Sequence, residues 1–354
     1  MKIAFIKVNM MYSKGKDALK PLVFALIEKL TPPEHELIFY DERIETLPDT
    51  LDADIIAFSV ETFAARHAYE LAEKYKRKDN LIVMGGFHPT AMEEEVLEHA
   101  DIVLIGDAED TWRQLMEDLS GETKRVYSSQ NACSMSYVDP NSSCYRGKKY
   151  LPLAMIQASR GCKFNCDFCS IKSLYPGGVR QKEIDIIVRE IRESREKLVF
   201  FIDDNLFFDE ESAKALFKAI KPFKKKWACQ ISLEIAFKDE LLDMMFDSGC
   251  FMVLIGLESL NEDNLEIMKK SANIGIMRNG KDGSDTHTDN ILHLEEAIKN
   301  IYRHNIMIYG MFVLGYDYDT ARSIKDTYEF AMRNHLTVAN FNPLMILPGT
   351  QLFT

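Results

Sequence analysis

The stretch Ser159-Arg160-Gly161-Cys162-Lys163-Phe164-Asn165-Cys166-Asp167-Phe168-Cys169 carries three cysteines separated by three and then two residues. Thiolate is the soft ligand that iron–sulfur clusters take, and three at this spacing can wrap one cluster corner by corner. A four-iron cubane held by only three cysteines keeps one iron open, so a small molecule can chelate it, as catalytic metal sites keep an open position. A structural zinc site is the plainer alternative. It needs a fourth ligand and usually a second close pair, and no such pair follows. The other cysteines, Cys133, Cys144, Cys229 and Cys250, are scattered and read as buried inert thiols.

The elements that must position this loop can be read from the pattern of apolar runs. Strands are predicted at Leu153–Ala158, Leu198–Ile202, Trp227–Ile231, Phe251–Ile255, Met307–Val313 and Val338–Leu344, with helices between them, the last near Ala321–Asn334. Six βα steps with the cysteine loop after the first predict a partial (β/α)6 barrel of the TIM type, whose active sites gather at strand carboxyl ends. Asp203, Asp204, Glu234, Glu258, Ser259, Gly310 and Gly315 fall at or near those ends. Each also has a purely structural reading: Asp203 as a helix cap, Glu234 and Glu258 as paired surface carboxylates, the glycines as packing choices.

The first half alternates in the same way, with strands predicted at Ile3–Val8, Leu37–Tyr40, Ile55–Ser59, Leu81–Gly85 and Ile102–Ile105 and helices at Leu19–Leu30, Ala65–Tyr75 and Glu93–His99. Five parallel strands with crossovers make a doubly wound α/β domain, which binds ligands beyond the strand carboxyl ends. The candidates there are the loop Asn9 to Lys16, then Ser59, Glu61 and Thr62, then Gly85, Gly86 and His88, then Gly106 and Glu109. Paired glycines permit close backbone approach to a ligand, although any α/β loop uses glycine to turn. The Ser-, Asn- and Gly-rich text from Ser128 to Lys149 reads as a linker. The expected domains are therefore 1–127 and 150–354, joined by 128–149. Asn273 to Asp289, with its glycines and alternating charges, is expected to be a mobile surface insertion, with a lid as the alternative.

Composition sets the outer limits. The chain has 354 residues, long enough for two cores. No apolar run approaches the roughly 18 residues that a membrane helix needs. The amino terminus has no signal-peptide pattern, and seven cysteines is an odd count, so reduced thiols in a cytoplasmic protein are expected rather than disulfides. A net charge of −12 argues against nucleic acid, and Lys224–Lys226 reads as a solvated helix end.

Cys162-x₃-Cys166-x-Phe168-Cys169 at the end of a first barrel strand resembles the radical SAM superfamily, whose pattern includes the aromatic residue before the last cysteine. The resemblance spans 150–354. It implies a [4Fe–4S] cluster on Cys162, Cys166 and Cys169 whose open iron binds S-adenosylmethionine (SAM), and reductive cleavage of SAM to a 5′-deoxyadenosyl radical. It also implies SAM contacts at Phe168, at Asp203 and Asp204 (in place of the family's Gly-Gly-Glu), at Glu234, Glu258 and Ser259, and along Gly310–Gly315.

A doubly wound domain before such a barrel, with Gly85–Thr90 and Ala100–Glu109, is similar to the cobalamin-binding members, among them methylases of unreactive carbon or phosphorus and an oxygen-independent cyclase. Corrinoid proteins that ligate cobalt through histidine carry Asp-x-His-x-x-Gly after the first strand. Here that loop has no histidine, and His88 reads as part of a turn, so cobalamin is expected without a histidine on cobalt. The resemblance implies a methyltransferase acting on a small-molecule or lipid substrate and served by a flavodoxin or ferredoxin. The alternatives are a cyclase or rearrangement enzyme, or a corrinoid- and cluster-binding protein without catalysis. Methylthiolation of tRNA fits less well, because no cysteine precedes Cys133. Family members continue past the sixth strand, so the text ending at Thr354 predicts a truncated chain or one that needs a partner.

Overall fold

Burial alternates along the strands of the first half in two complementary sets. Ala4, Ile6, Ile56, Phe58, Ile82 and Met84 enter one apolar cluster, whereas Ile3, Phe5, Ile55, Ala57 and Val83 enter another. A strand whose successive side chains enter opposite cores must be covered on both faces, as parallel strands are. In the computed structural model, residues 1–10, 14–129, 134–175, 178–206, 209–278 and 287–354 are described. They form two compact units, with the boundary near Met155 and two short returns to the first unit at Ser173–Gly177 and Glu193–Glu196.

The first unit is built on β1 (Lys2–Lys7), β2 (Glu36–Asp41), β3 (Ile55–Ser59), β4 (Leu81–Gly85), β5 (Ile102–Ile105) and β6 (Val126–Ser128), all parallel, in the order β2-β1-β3-β4-β5-β6. The order reverses between β1 and β3, which defines a switch point of the doubly wound kind. β6 is a sixth strand that the sequence pattern did not give. It has three residues and runs directly into serine-rich text, too short for a period-2 signal.

The helices are α1 (Leu22–Leu30), α2 (Ala65–Tyr75), α3 (Phe87–Ala91), α4 (Glu93–Val96) and α5 (Ala108–Asp118). α1 starts later than expected, at Leu22, because Pro21 is itself extended and stands as the N-cap. α3 occupies what read as a glycine loop, since Pro89 sits in its first turn, where a missing N–H costs nothing. Phe5, Phe24 and Trp112 pack edge to face at 5.8 Å, and the Trp112 indole donates to Thr31 Oγ1 at 3.0 Å. The expected linker is not loose: Cys144 and Tyr145 belong to this core, and the Tyr145 hydroxyl donates to Pro21 O at 2.9 Å.

The second unit carries a six-stranded sheet in the order β14-β13-β12-β11-β10-β7, formed by β7 (Leu153–Ile156), β10 (Leu198–Phe201), β11 (Lys226–Ile231), β12 (Cys250–Glu258), β13 (Met307–Leu314) and β14 (Val338–Pro343). Between β7 and β10 lies a small antiparallel pair, β8 (Ser159–Arg160) and β9 (Arg180–Gln181). Each large strand neighbours the next in sequence, with no reversal, which is the winding of an open barrel.

The helices are α6 (Ile171–Leu174), α7 (Ile184–Glu193), α8 (Glu210–Ile220), α9 (Asp239–Ser248), α10 (Glu262–Ile267), α11 (Ser271–Met277), α12 (His287–Arg303) and α13 (Ala321–Arg333). Asp209 caps α8, Asn261 caps α10, and Thr320 with Ser323 forms a capping box on α13. Trp227 is sandwiched in the core, stacked on Phe217 at 5.3 Å and edge-on to Phe201 at 5.4 Å. The expected insertion starts inside α11, with Asn273 buried; residues 279–286, like residues 11–13 of the first-strand loop and Cys133, lie outside the described residues.

Candidate functional site

The cysteine loop leaves β8 through Gly161, whose φ is +90° and whose Cβ, if it had one, would lie 2.6 Å from Gly178 O. Only glycine takes that turn without displacing backbone. The loop is then tied down at Asp167: its N–H donates to Met268 O at 3.1 Å, its carboxylate accepts the Tyr316 hydroxyl at 2.8 Å, and its carbonyl accepts Leu352 N–H at 3.1 Å. Phe168 lies edge-on to Tyr316 at 6.5 Å and packs against the cluster that Tyr316 forms with Leu265, Met268 and Met277. Cys162, Cys166 and Cys169 are free, partly exposed thiols.

Burial pushes the Cys166 thiol up to about 11, with Lys270 pulling it back and Cys169, Glu258 and Cys162 adding to the rise. Burial likewise raises Cys169, and Cys162 and Asp204 add to it. Cys166 and Cys169 therefore feel the charge of neighbouring thiols, as ligands of a shared cationic group must, and metal ligation requires the thiolate form. Among the described residues no three His, Cys, Asp or Glu side chains converge on a single point as they do around one metal ion. A cubane is a larger body that takes one thiolate at each of three corners, so the donor set fits it.

Glu258 ends β12 in the left-handed region, with φ +61°, at a break in register against β13. A bulky residue held there is strained, and such strain clusters at ligand sites. Asn273 fixes the bulge by donating to Gly256 O at 3.0 Å and Leu257 O at 2.8 Å. The buried Glu258 carboxylate pairs with Lys270 Nζ at 2.8 Å. Burial alone lowers the Lys270 ammonium, but Glu258 and the cysteine thiols outweigh it and hold the pKa up. Gly256 makes room for this pair: a Cβ there would lie 2.1 Å from Glu258 Oε1 and 2.9 Å from Lys270 Nζ. Sequence reasoning found Glu258 and missed Gly256, Lys270 and Asn273; the Gly-x-Glu spacing was the available signal.

The other expected SAM contacts divide. Glu234 pairs with Lys163 of the cysteine loop. Asp203 and Asp204 both accept hydrogen bonds from the strand and turn that lead into that loop. Ser259 is 6% exposed, and its hydroxyl accepts Asn261 N–H at 3.1 Å, so it serves the turn after β12. At Gly310 the space of the missing Cβ is taken by Leu336 at 2.8 Å and Leu257 at 3.1 Å. Gly315 follows β13 with φ +115°, and its N–H donates to Asp319 at 2.7 Å.

On the first unit, Gly86 has φ +116°, and a Cβ would sit 2.8 Å from Val60 O, so the β3 and β4 loops meet backbone to backbone. Thr90 accepts the Gly106 N–H at 3.0 Å and donates to Gly86 O at 2.8 Å, joining the β5 loop to them. Gly85 rests against Leu104, and Glu61 pairs with Lys7 across the switch point, beside Ser59 and Thr62. Glu109 is buried in the first turn of α5. His88 is 4% exposed: its Nε2 meets the Tyr69 hydroxyl at 2.9 Å, and that hydroxyl donates onward to Glu95 at 2.9 Å. The proton on the ring is therefore on Nε2, and burial lowers the His88 pKa against the pull of Glu95. Met10, Phe63 and Phe87, after β1, β3 and β4, are 52%, 45% and 44% exposed. Three large apolar side chains at one strand-end edge, over close-packed glycine loops, fit a broad macrocycle with apolar faces such as a corrin.

A three-cysteine loop on an unreversed parallel βα sheet, in a chain whose other unit is a doubly wound sheet with an apolar carboxyl edge, defines a radical SAM protein with a corrinoid-type domain. The sequence matches the radical SAM superfamily over residues 156–331 and the B12 binding domain over residues 31–116. It is 29% identical to bacteriochlorophyllide d C-12(1)-methyltransferase of Chlorobaculum tepidum across 98% of this chain and 75% of that protein. It is 24% identical to hopanoid C-2 methylase of Rhodopseudomonas palustris, across 95% of this chain and 64% of that protein. The fold matches the radical SAM methyltransferase TsrM of Kitasatospora setae with a TM-score of 0.72 at 16% identity, over 99% of this chain and 74% of that one. The chain belongs to the cobalamin-binding radical SAM superfamily, whose cofactors are a [4Fe–4S] cluster, SAM and cobalamin.

Proposed function

We propose that this protein transfers a methyl group to an unactivated carbon of a large, mostly apolar ring substrate, of the tetrapyrrole or hopanoid kind. The observation that carries the reading is the pairing of the Cys162, Cys166 and Cys169 loop with a B12 binding domain in one chain, similar over nearly its whole length to methyltransferases of such substrates. When bound, the cluster and SAM supply a 5′-deoxyadenosyl radical and cobalamin supplies the methyl group.

The chain's own residues bind, orient and exclude water, since the cofactors carry the hard chemistry. Cys162, Cys166 and Cys169 hold the cluster, and the Asp167 ties fix their loop. The Glu258–Lys270 pair presents fixed opposite charges to the zwitterionic methionyl end of SAM, with Glu234 as a further acceptor. Gly85, Gly86, Phe63 and Phe87 receive the corrin, and His88 stays with Tyr69. Among the described residues no helix is long and apolar enough to cross a membrane, and we read the protein as cytoplasmic, reduced by a flavodoxin or ferredoxin. The test is anaerobic turnover with SAM, cobalamin, reductant and a bacteriochlorophyllide, quantifying both SAM products. Methyl transfer gives S-adenosylhomocysteine and 5′-deoxyadenosine together; a cyclase or rearrangement enzyme gives 5′-deoxyadenosine alone.

A further inference from the structure

We infer that Asp203 and Asp204 act on the cluster through the loop that carries its ligands, and that Asp204 lowers the cluster's reduction potential. The inference rests on the reading of Cys162, Cys166 and Cys169 as cluster ligands. Both carboxylates leave the carboxyl end of β10 and turn toward the cysteine loop. Asp203 Oδ2 accepts the Ala158 N–H at 3.1 Å, and Oδ1 accepts the Ser159 hydroxyl at 2.5 Å. Asp204 Oδ2 accepts the Gly161 N–H at 2.9 Å, one residue before Cys162. Asp203 is 2% exposed with both oxygens engaged, an arrangement suited to holding a loop rather than meeting an incoming ligand. Neither residue caps α8, because Asp209 does. A loop pinned at 158, 159 and 161 on one side and at Asp167 on the other arrives with its thiols already placed.

The charge of Asp204 reaches the ligands as well. It sits on the Gly161 N–H, next to Cys162, whereas Asp203 holds Ala158 and Ser159, farther back along the chain. Arg160 offsets part of the Asp204 charge, and Lys270 is itself neutralised by Glu258 at 2.8 Å. Net charge near a cluster is one of the determinants of its potential. An anion beside the ligand loop opposes an added electron, so the reduced cluster becomes a stronger donor toward the C–S bond of SAM.

The test is an EPR-monitored redox titration of the reconstituted protein at pH 8, without substrate, for wild type, Asp204→Asn and Asp203→Asn. Asp204→Asn keeps an oxygen for the Gly161 N–H and removes the charge. Its iron content should equal wild type, and its reduction equilibrium should move about tenfold toward the reduced cluster, which is ~59 mV for a one-electron couple. Asp204→Glu should return the potential toward wild type, and Asp203→Asn should move it in the same direction by less. An unchanged potential in Asp204→Asn overturns the inference. So does an unchanged potential together with loss of the EPR response to added SAM, which assigns Asp204 to SAM instead. If Asp204→Asn holds no cluster, an unchanged potential in Asp203→Asn overturns the inference and a raised one supports it. A wild type that holds no cluster defeats the reading of the cysteines, a separate failure.

Discussion

Replacing Gly256 with alanine should break the Glu258–Lys270 pair while leaving the fold of the second unit intact. The new Cβ would lie 2.1 Å from Glu258 Oε1 and 2.9 Å from Lys270 Nζ, and both are ends of flexible side chains, so they move and the backbone does not. The pair stands at 2.8 Å with side-chain exposures of 8% and 18%, between the surface and the buried extremes. Surface pairs contribute about 0–1 kcal/mol and breaking a buried one costs about 3–5, so about 2 kcal/mol is the expected loss. In a unit of this size that lowers the midpoint of its thermal transition by about 4–8 °C. SAM affinity, read by equilibrium binding to the reconstituted protein, should fall about tenfold or more, because both charges face the methionyl end in the proposed reading.

A double-mutant cycle isolates the cause. Glu258→Gln removes the charge without a clash, and if Gly256→Ala acts through the pair, the double variant should cost little more than Glu258→Gln alone. Costs that simply add, or a Gly256→Ala protein with wild-type midpoint and affinity, refute the argument.

Two further outcomes follow from the buried groups. Burial raises Asp203 from its ordinary 3.8 to about 6, so the folded state binds this proton more tightly than the unfolded chain does. That contribution favours the folded state below about pH 4 and is lost as pH rises through 6, a swing of roughly 3 kcal/mol. Cluster-free Asp203→Asn should therefore gain on wild type between pH 4 and 7 in denaturant titrations, and parallel pH curves for the two proteins count against it. His88→Ala should leave the absorption and EPR spectra of bound cobalamin unchanged while losing about 1 kcal/mol with the Tyr69 hydrogen bond; disappearance of a nitrogen-ligated cobalt signal would make His88 the ligand.

Much of the fold was legible because parallel strands covered on both faces write themselves as short apolar runs, as at Ile55–Ser59 and Ile102–Ile105. β6 and the β8–β9 pair were not legible, being three and two residues long. The cysteine loop was readable from residue types at fixed spacing. Lys270 and Asn273 were not, since their roles depend on a bulge in β12 that brings the Glu258 carboxylate to Lys270, twelve residues on, and no period in the sequence encodes that meeting. Gly310 is ambiguous for a different reason: glycine in a strand serves a ligand or a neighbour's side chain equally well, and here Leu336 fills the space of the missing Cβ.

The central claim is that Cys162, Cys166 and Cys169 together hold a four-iron cluster that cleaves SAM. Anaerobic reconstitution of wild type and Cys166→Ala, with iron counted per chain and 5′-deoxyadenosine measured after adding SAM and dithionite, tests it most directly. Wild type should hold about four irons and form 5′-deoxyadenosine, with both lost in Cys166→Ala; a Cys166→Ala protein that keeps a full cluster and still cleaves SAM would rule out these three thiols as its ligands.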